Sequence, residues 1–431
     1  MKISREAEAL RSGRLDLIKH IHDTCDRIEA YEPEISAFVP GTYNRERILE
    51  QARRLLKAYP DPGDRPSMFG LLVGVKDIFR IDGFRTGCGS ELPDHLFDGP
   101  EADCITRIKK AGSIIAGKTV TAEFAYIEPG PTRNPYNTDH TPGGSSSGSA
   151  AGTAKGFFPF ALGTQTVGST IRPAAFCGVI GFKPSYGRIS AKGVIPFSPS
   201  SDHVGIFCRD ISGLSLICTV MFKDWEQNAR TGSHKRIGIP ADPYLFQASD
   251  SELSIFREQV HILKTSGLNV REYSFLEDIK GINELHYDLI AAEMAREHAE
   301  WFSGYRDLYR SKTVDIIEKG MKISDSRLKD MISLKAGMRD KMIRKTASLG
   351  VDFWISPSAT DRAPKGLGST GSALMNLPWT FTGMPAVSLP VAFDHDGLPH
   401  GIQVAGGINK DEELISFAGF LSDRIISNIP V

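Results

Sequence analysis

The 431-residue sequence predicts one α/β domain, a central twisted mixed β-sheet covered by helices on both faces. Three observations lead there. Short β-rich runs alternate with helical segments once the chain passes Pro66. Strand-like texture returns near the C-terminus after a long charged helical stretch. No internal repeat and no linker divides the chain, so a helical insertion into one domain accounts for its length better than two independent units. Hydrophobic residues make up 41% and charged residues 24%, ordinary values for a globular protein. The formal net charge of −1 gives no global field toward nucleic acid or an anionic membrane.

Residues 1–60 form an N-terminal helical segment. Leu10, Leu17, Ile18, Ile21, Cys25 and Ile28 recur at helical intervals on one face. A second helix passes through Ala52–Leu56 and ends at Tyr59-Pro60-Asp61-Pro62-Gly63. Strands are expected at Leu71–Val75, Ser113–Ala116 and Val179–Phe182, with a helix at Asp103–Ala111. Within residues 235–350, Arg236–Ile239 reads as a strand and Glu252–Ser266 as a helix. A long charged helical region follows from about Asn283 to Ser348. Residues 351–431 return to the core through strands at Asp352–Ser356 and Ala386–Ala392.

The N-terminus is charged and has no apolar h-region, so it does not read as a secretory signal. No apolar run approaches the ~20 residues that span a bilayer. The six cysteines lack C-x-x-C or metal-ligand spacing and read as free thiols. A cytoplasmic location is the expectation, with no metal, no organic cofactor, and neither nucleic acid nor membrane as partner.

Two glycine-rich stretches compete for attention. Gly112-Ser-Ile-Ile-Ala-Gly117-Lys118-Thr119 fits the G-x-x-x-x-G-K-[ST] pattern of a phosphate-binding loop. Such a loop needs a strand before it and a helix after it. Here a helix precedes and a strand occupies the loop, so helix–turn–strand is the better reading. Pro142-Gly-Gly-Ser-Ser-Ser-Gly-Ser-Ala-Ala-Gly152 resembles a flexible linker by composition. Its surroundings argue otherwise. A small-residue helix can start within it, an apolar run follows at Phe157–Leu162, and a second turn, Gly163-Thr-Gln-Thr-Val-Gly-Ser169-Thr-Ile-Arg172-Pro, comes next. Two such turns around one helix and one strand let backbone amides converge, as an oxyanion hole requires.

The segment 143–190, GGSSSGSAAGTAKGFFPFALGTQTVGSTIRPAAFCGVIGFKPSYGRIS, resembles the amidase-signature family. So do Gly74-Val-Lys76-Asp77, the Gly112–Thr119 stretch with Glu123-Phe124, and Arg133-Asn-Pro135 upstream. Downstream, Ser201-Asp202-His203-Val204-Gly205, Thr382-Gly-Met-Pro385, Gly397-Leu-Pro399 and Gly401-Ile-Gln403 also match. The likeness covers most of the chain, including residues 70–210, and is weakest between about 215 and 350. It implies the amidase-signature fold, Ser169 as nucleophile, Ser145 as a serine preceded by a cis peptide bond, and Lys76 as base. The backbone amides of Thr166, Val167, Gly168 and Ser169 would form the oxyanion hole. Gly144, Gln165, Arg172 and Tyr126 are candidates for contact with substrate, and the pocket walls would come from residues 283–350 and from loops near Tyr126 and Trp379. A lysine in this role must be buried, because an exposed one keeps its proton near neutral pH. The alternatives at single positions are a strand-end surface lysine at 76 and turn-forming serines at 145 and 169. Neither His140 nor His203 is expected to act as base; His203 reads as support for the site.

The resemblance implies hydrolysis of a small carboxamide through an acyl-enzyme, giving an acid and ammonia or an amine. Where many family members carry aspartate and glycine, this chain has Gln165 and Val167, and one extra residue separates Ser169 from Arg172. That places the nucleophile turn nearest malonamidase-like members acting on amides with a carboxylate. Arg172 would then hold that carboxylate, or else anchor the turn through carbonyls or a buried acid. Two further activities stay open: the glutaminase subunit of a tRNA-dependent amidotransferase, and a hydrolase of ureas or carbamates. Family members are often dimers, which leaves a homodimer open beside a monomer.

Overall fold

Ten strands line up side by side in one sheet, in the order β2-β1-β3-β5-β4-β9-β10-β8-β6-β7, in a computed structural model that describes residues 1–226, 229, 235–241 and 243–425. The strands are β1 (Leu72–Lys76), β2 (Ile114–Thr119), β3 (Phe160–Gln165), β4 (Ile180–Lys183), β5 (His203–Cys208), β6 (Arg236–Pro240), β7 (Asn269–Tyr273), β8 (Phe353–Pro357), β9 (Ala386–Phe393) and β10 (Pro399–Ala405). β1 pairs in parallel with β2 and β3, and β6 with β7 and β8; the five pairings from β3 through β5, β4, β9 and β10 to β8 are antiparallel. The sheet is therefore mixed. Every residue of β1 to β5, β8 and β10 is buried, so helices cover both faces of the sheet's centre. β7, at the edge, is buried at only one residue. The single α/β domain with a mixed sheet is as the sequence predicts.

Local departures have physical causes. The N-terminal apolar periodicity is divided between two helices, Ile3–Arg11 and Leu17–Ile35. Between them Gly13 takes φ +75°, a conformation that ends a helix readily only at glycine. The charged region after Asn283 is four helices, Ile279–Glu297, Ala299–Tyr305, Ser311–Met321 and Asp325–Leu349. The segment 235–350 is also more than a helical insertion, since it supplies β6 and β7 to one end of the sheet. Residues 426–431 of the C-terminal return lie outside the described residues. No helix among the described residues is long and apolar enough to cross a membrane. All six cysteines are free and buried.

The Gly/Ser-rich stretch is not a linker. Ser147–Ala154 is a helix, and seven of its eight residues are buried. It lies close to the sheet because the Phe158 ring fills the space that a side chain on Gly74 of β1 or on Gly152 of the helix would need; a Cβ at either would stand 2.4 Å from that ring. The phosphate-loop pattern resolves into a helix, Asp103–Lys110, a turn at Gly112 and strand β2. Lys118 is buried there against Asp77 at 2.8 Å.

Candidate active site

Lys76 is the last residue of β1, a strand flanked on both sides, and it is wholly buried. Its Nζ stands 2.8 Å from Ser145 Oγ and 2.8 Å from Thr164 Oγ1 on the neighbouring strand. Burial lowers its pKa to about 7, against an opposing pull from the negative charge of Asp202. Lys118, one strand over, differs in kind: it is clamped by a carboxylate, two carbonyls and a hydroxyl. Among the described residues Lys76 has only hydroxyl partners, and it can therefore exist as a free amine near neutral pH.

Ser145 follows a cis Gly144–Ser145 peptide and leads into the Ser147–Ala154 helix. The segment is laced to β3 by its hydroxyls. Ser146 Oγ bonds with the Thr164 backbone at 3.3 Å, and Ser149 Oγ donates to the Leu162 carbonyl at 2.9 Å. Ser145 is thus held between β1 and β3, over the end of the lysine side chain.

The turn from Thr166 to Thr170 leaves the end of β3 and enters the helix Ile171–Phe176. Its orientation is set by what holds its carbonyls. His286 Nε2 donates to Thr166 O at 2.9 Å, and Thr380 Oγ1 donates to Val167 O at 2.7 Å. Burial lowers the pKa of His286 to about 3, so the ring is neutral and must carry its proton on Nε2 to make this bond. Gln165 Oε1 accepts from the amides of Thr170 and Ile171, and its Nε2 donates to Thr380 Oγ1. Among the described residues the amides of Val167, Gly168 and Ser169 have no carbonyl partner. Carbonyls fixed on one side and amides left open on the other make a donor cluster for a developing oxyanion. Thr166 Oγ1 adds a 2.5 Å bond to Asp202 Oδ1, while Asp202 Oδ2 accepts from the Phe197 and Ser198 amides. Burial raises the pKa of Asp202 to about 6.

Ser169 lines a cavity of about 220 Å³, together with Thr166, Val167, Arg172, Tyr126 and Tyr287. The structure therefore gathers Lys76 with Ser145, and Ser169 with the Thr166–Gly168 turn, Arg172 and Tyr126. It removes Gln165 from the substrate-contacting set, because both ends of its amide are committed to the turn and to Thr380. Trp379 itself is buried, its indole N–H donating to Tyr244 at 3.2 Å, while the loop before it, Ser369 to Ala373, lines the cavity. His140 bonds to the Ala363 carbonyl, away from the serines. Substituting Gln165 by Leu should lower kcat about 10-fold or more at nearly unchanged KM, because the turn loses two amide anchors while the cavity keeps its walls. Steady-state kinetics with circular dichroism checks this; equal loss in KM alone would mean that Gln165 does not position the turn.

Arg172 is buried and has no carboxylate partner among the described residues. Its guanidinium donates to Gly371 O at 2.7 Å, Gly144 O at 2.6 Å and Thr370 Oγ1 at 3.2 Å. Burial lowers its pKa to about 10. Of the two roles open from the sequence, these contacts favour the anchor through carbonyls, and Asp202 takes no part in it. Arg172→Ala should cost ~2–4 kcal/mol of stability, since buried carbonyls lose their donors. Acidic and neutral amides should lose activity together. A loss confined to acidic amides, with an unchanged melting temperature, would restore the substrate role.

Sequence reasoning missed His286, Thr380 and Thr164. Thr164 lies inside the quoted 143–190 segment, and Thr380 just precedes Thr382-Gly-Met-Pro385. His286 comes from the weakly matching region, where no pattern pointed to it.

Comparison with known proteins identifies the family. The Amidase family matches residues 19–415. A glutamyl-tRNA(Gln) amidotransferase subunit from a Synechococcus strain is 28% identical, covering 97% of this chain and 96% of its own length. The corresponding subunit from Agathobacter rectalis is 30% identical over 91% of this chain and 87% of its own. A solved structure described as an amidase superposes with a TM-score of 0.89 at 27% identity, covering 99% of this chain and all of that one. With a family match over nearly its whole length and relatives aligned end to end, the chain belongs to the amidase family.

Proposed function

We propose that the protein hydrolyses the carbon–nitrogen bond of a small carboxamide through an acyl-enzyme on Ser169, with Ser145 and Lys76 as proton relay. The observation that carries this reading is the buried Lys76 amine, 2.8 Å from the Ser145 hydroxyl and hydrogen-bonded to hydroxyls alone among the described residues. A serine hydroxyl attacks a carbonyl only when its proton is removed. Here that proton passes through Ser145 Oγ to Lys76 Nζ as the Ser169 Oγ–carbon bond forms. The oxyanion is met by the open amides of Val167, Gly168 and Ser169. The relay then returns the proton to the nitrogen, the carbon–nitrogen bond breaks, and ammonia or an amine leaves. Water, deprotonated by the same relay, attacks the ester carbonyl; the acid departs and Ser169 regains its proton. Every proton borrowed is returned, so no net acid or base is consumed at the relay.

The cavity beside Ser169 suits a small acyl group. A carboxylate on that group, as in malonamidase-like members, remains part of the proposal only if the Arg172 test restores it. The amidotransferase relatives favour a second reading, glutamine hydrolysis in the service of partner subunits. A screen with the purified chain alone separates the two. Primary amides, N-substituted amides, anilides, ureas, carbamates and glutamine are offered, and ammonia or amine release is measured. Turnover of a small amide other than glutamine, without partners, is the expected result. Turnover of glutamine alone would favour the second reading, and no amide turnover at all would sink the first.

A further inference from the structure

A second chamber of about 180 Å³ lies against the first, and the two share Ala125, Thr166 and Phe197 in their walls. The division of labour between them follows from which catalytic groups each holds. The first chamber contains Ser169, the oxyanion turn and Arg172. The second contains Thr164, whose hydroxyl is 2.8 Å from Lys76 Nζ, and so borders the proton relay. In amide cleavage the departing nitrogen must collect its proton from that relay. A substituent on the nitrogen therefore belongs on the relay side, and the acyl group on the side of the open amides.

The chemistry of the second chamber suits such a substituent. Ile78, Val194, Ile195, Pro196 and Phe197 make most of its wall apolar. Its volume is below the about 300 Å³ at which drug-sized pockets begin, a scale fitting a short alkyl chain or a single ring. Ala191 and Pro199, both exposed, lie in its outer wall, which leaves a way out to solvent. The chamber also has one unused polar group. His203 stands opposite Gln165 in the β3–β5 ladder and lines the chamber. Its Nδ1 faces two carbonyls, Ser201 O at 2.6 Å and Gln165 O at 3.3 Å, so Nδ1 carries the hydrogen. Nε2 is then a bare acceptor, buried and without a partner among the described residues. Burial holds the pKa of this ring well below the usual histidine value, which keeps the acceptor free of protons. A bare acceptor in an otherwise apolar chamber suits a single N–H donor, and the amide N–H is the one that a secondary amide with an apolar nitrogen substituent brings.

We propose that this chamber is the leaving-group subsite, and that the enzyme's substrates are secondary amides whose nitrogen bears a short alkyl or single-ring apolar group, seated against Val194, Ile195 and Phe197. The proposal rests on the amidase reading and specifies the amine that the reaction releases. On cleavage the carbon–nitrogen bond breaks, the nitrogen takes the proton from Lys76 by way of Ser145, and the neutral amine leaves through the second chamber while the acyl group stays on Ser169.

The test uses two matched substrate series. One keeps the acyl group constant and varies the nitrogen from primary amide to N-propyl and N-benzyl. The other keeps a primary amide and moves the same bulk to the acyl side. In the wild type, kcat/KM should be higher for N-propyl or N-benzyl than for the matched primary amide. Val194→Phe, which fills the second chamber without touching the relay, should lower kcat/KM for the N-benzyl amide at least 10-fold relative to the primary amide. The acyl series should change less than 2-fold. Should Val194→Phe fail to fold, Val194→Ala decides, since it should shift preference toward the larger nitrogen substituent. A loss that is equal across the nitrogen series, or that follows acyl bulk, overturns the placement. So does a wild type that cleaves only primary amides; that result leaves the amidase reading intact. No turnover of any amide overturns the amidase reading and this subsite with it.

Discussion

Ser169→Ala is expected to reduce amide turnover by a factor of about 10⁴ or more while the protein stays folded. The size of the loss follows from the absence of a substitute. Ser145 is engaged with Lys76 at 2.8 Å, and among the described residues the histidines near the turn are poor bases: His286 is committed to the Thr166 carbonyl, and His203, whose Nε2 is free in the second chamber, has its pKa held well below the usual value by burial. The fold should survive because the change removes one oxygen from a side chain lining a cavity, and opens no void among the packed strands. A shift of stability within about 0.5 kcal/mol is the scale for such a site. A fluorophosphonate probe, read by intact mass, should modify the wild type once and leave Ser169→Ala unmodified. Continued labelling of the variant would place the nucleophile elsewhere.

The second large effect belongs to Lys76. Lys76→Met should lower kcat/KM by about 10³-fold or more, because the relay loses the group that takes the proton. In the wild type, kcat/KM should rise about tenfold per pH unit below pH 7 and level off above it, following loss of the Lys76 proton. Stability should move in step. The folded-state pKa, about 7, lies below the ordinary lysine value of 10.5. Between those values the unfolded chain holds a proton that the folded protein does not, so wild-type stability grows as pH rises through that window. The full shift amounts to ~5 kcal/mol. Lys183 is also buried, with its pKa lowered to about 7, so the wild type's pH dependence alone does not isolate Lys76. The difference between wild type and Lys76→Met does. Melting temperatures from pH 6.5 to 10 should converge as pH rises, with the variant ahead at the acidic end. A constant gap would mean that Lys76 is charged in the folded protein.

Much of this site could be read from residues close together in the chain. Lys76 at the end of an apolar run, Ser145 in a glycine-rich turn and Ser169 in a second turn are local patterns, and the burial of Lys76 follows from the strand it terminates. The phosphate-loop decoy could be dismissed for the same reason, since helix–turn–strand order is local. What escaped is what only tertiary packing decides. Gln165 looks like a polar residue free to meet substrate until Thr380, 215 residues away, and the two amides of its own turn take up its side chain. His286 is one histidine in a charged helix, and nothing in its neighbours distinguishes it. The break at Gly13 was missed because two consecutive helices packed on one core repeat the same apolar spacing.

The bond from His286 to the Thr166 carbonyl has a consequence for how this protein can be remodelled. The Ile279–Glu297 helix carries Tyr287 on the wall of the Ser169 cavity, and one residue earlier it carries the histidine that braces the oxyanion turn. On the proposed mechanism, recognition and rate are joined on adjacent residues of a single helix. A chimera that imports a relative's 279–349 segment to gain a new substrate inherits or forfeits catalytic power in the same cut. Grafts that preserve a neutral N–H donor at position 286 are the ones that keep turnover while specificity changes.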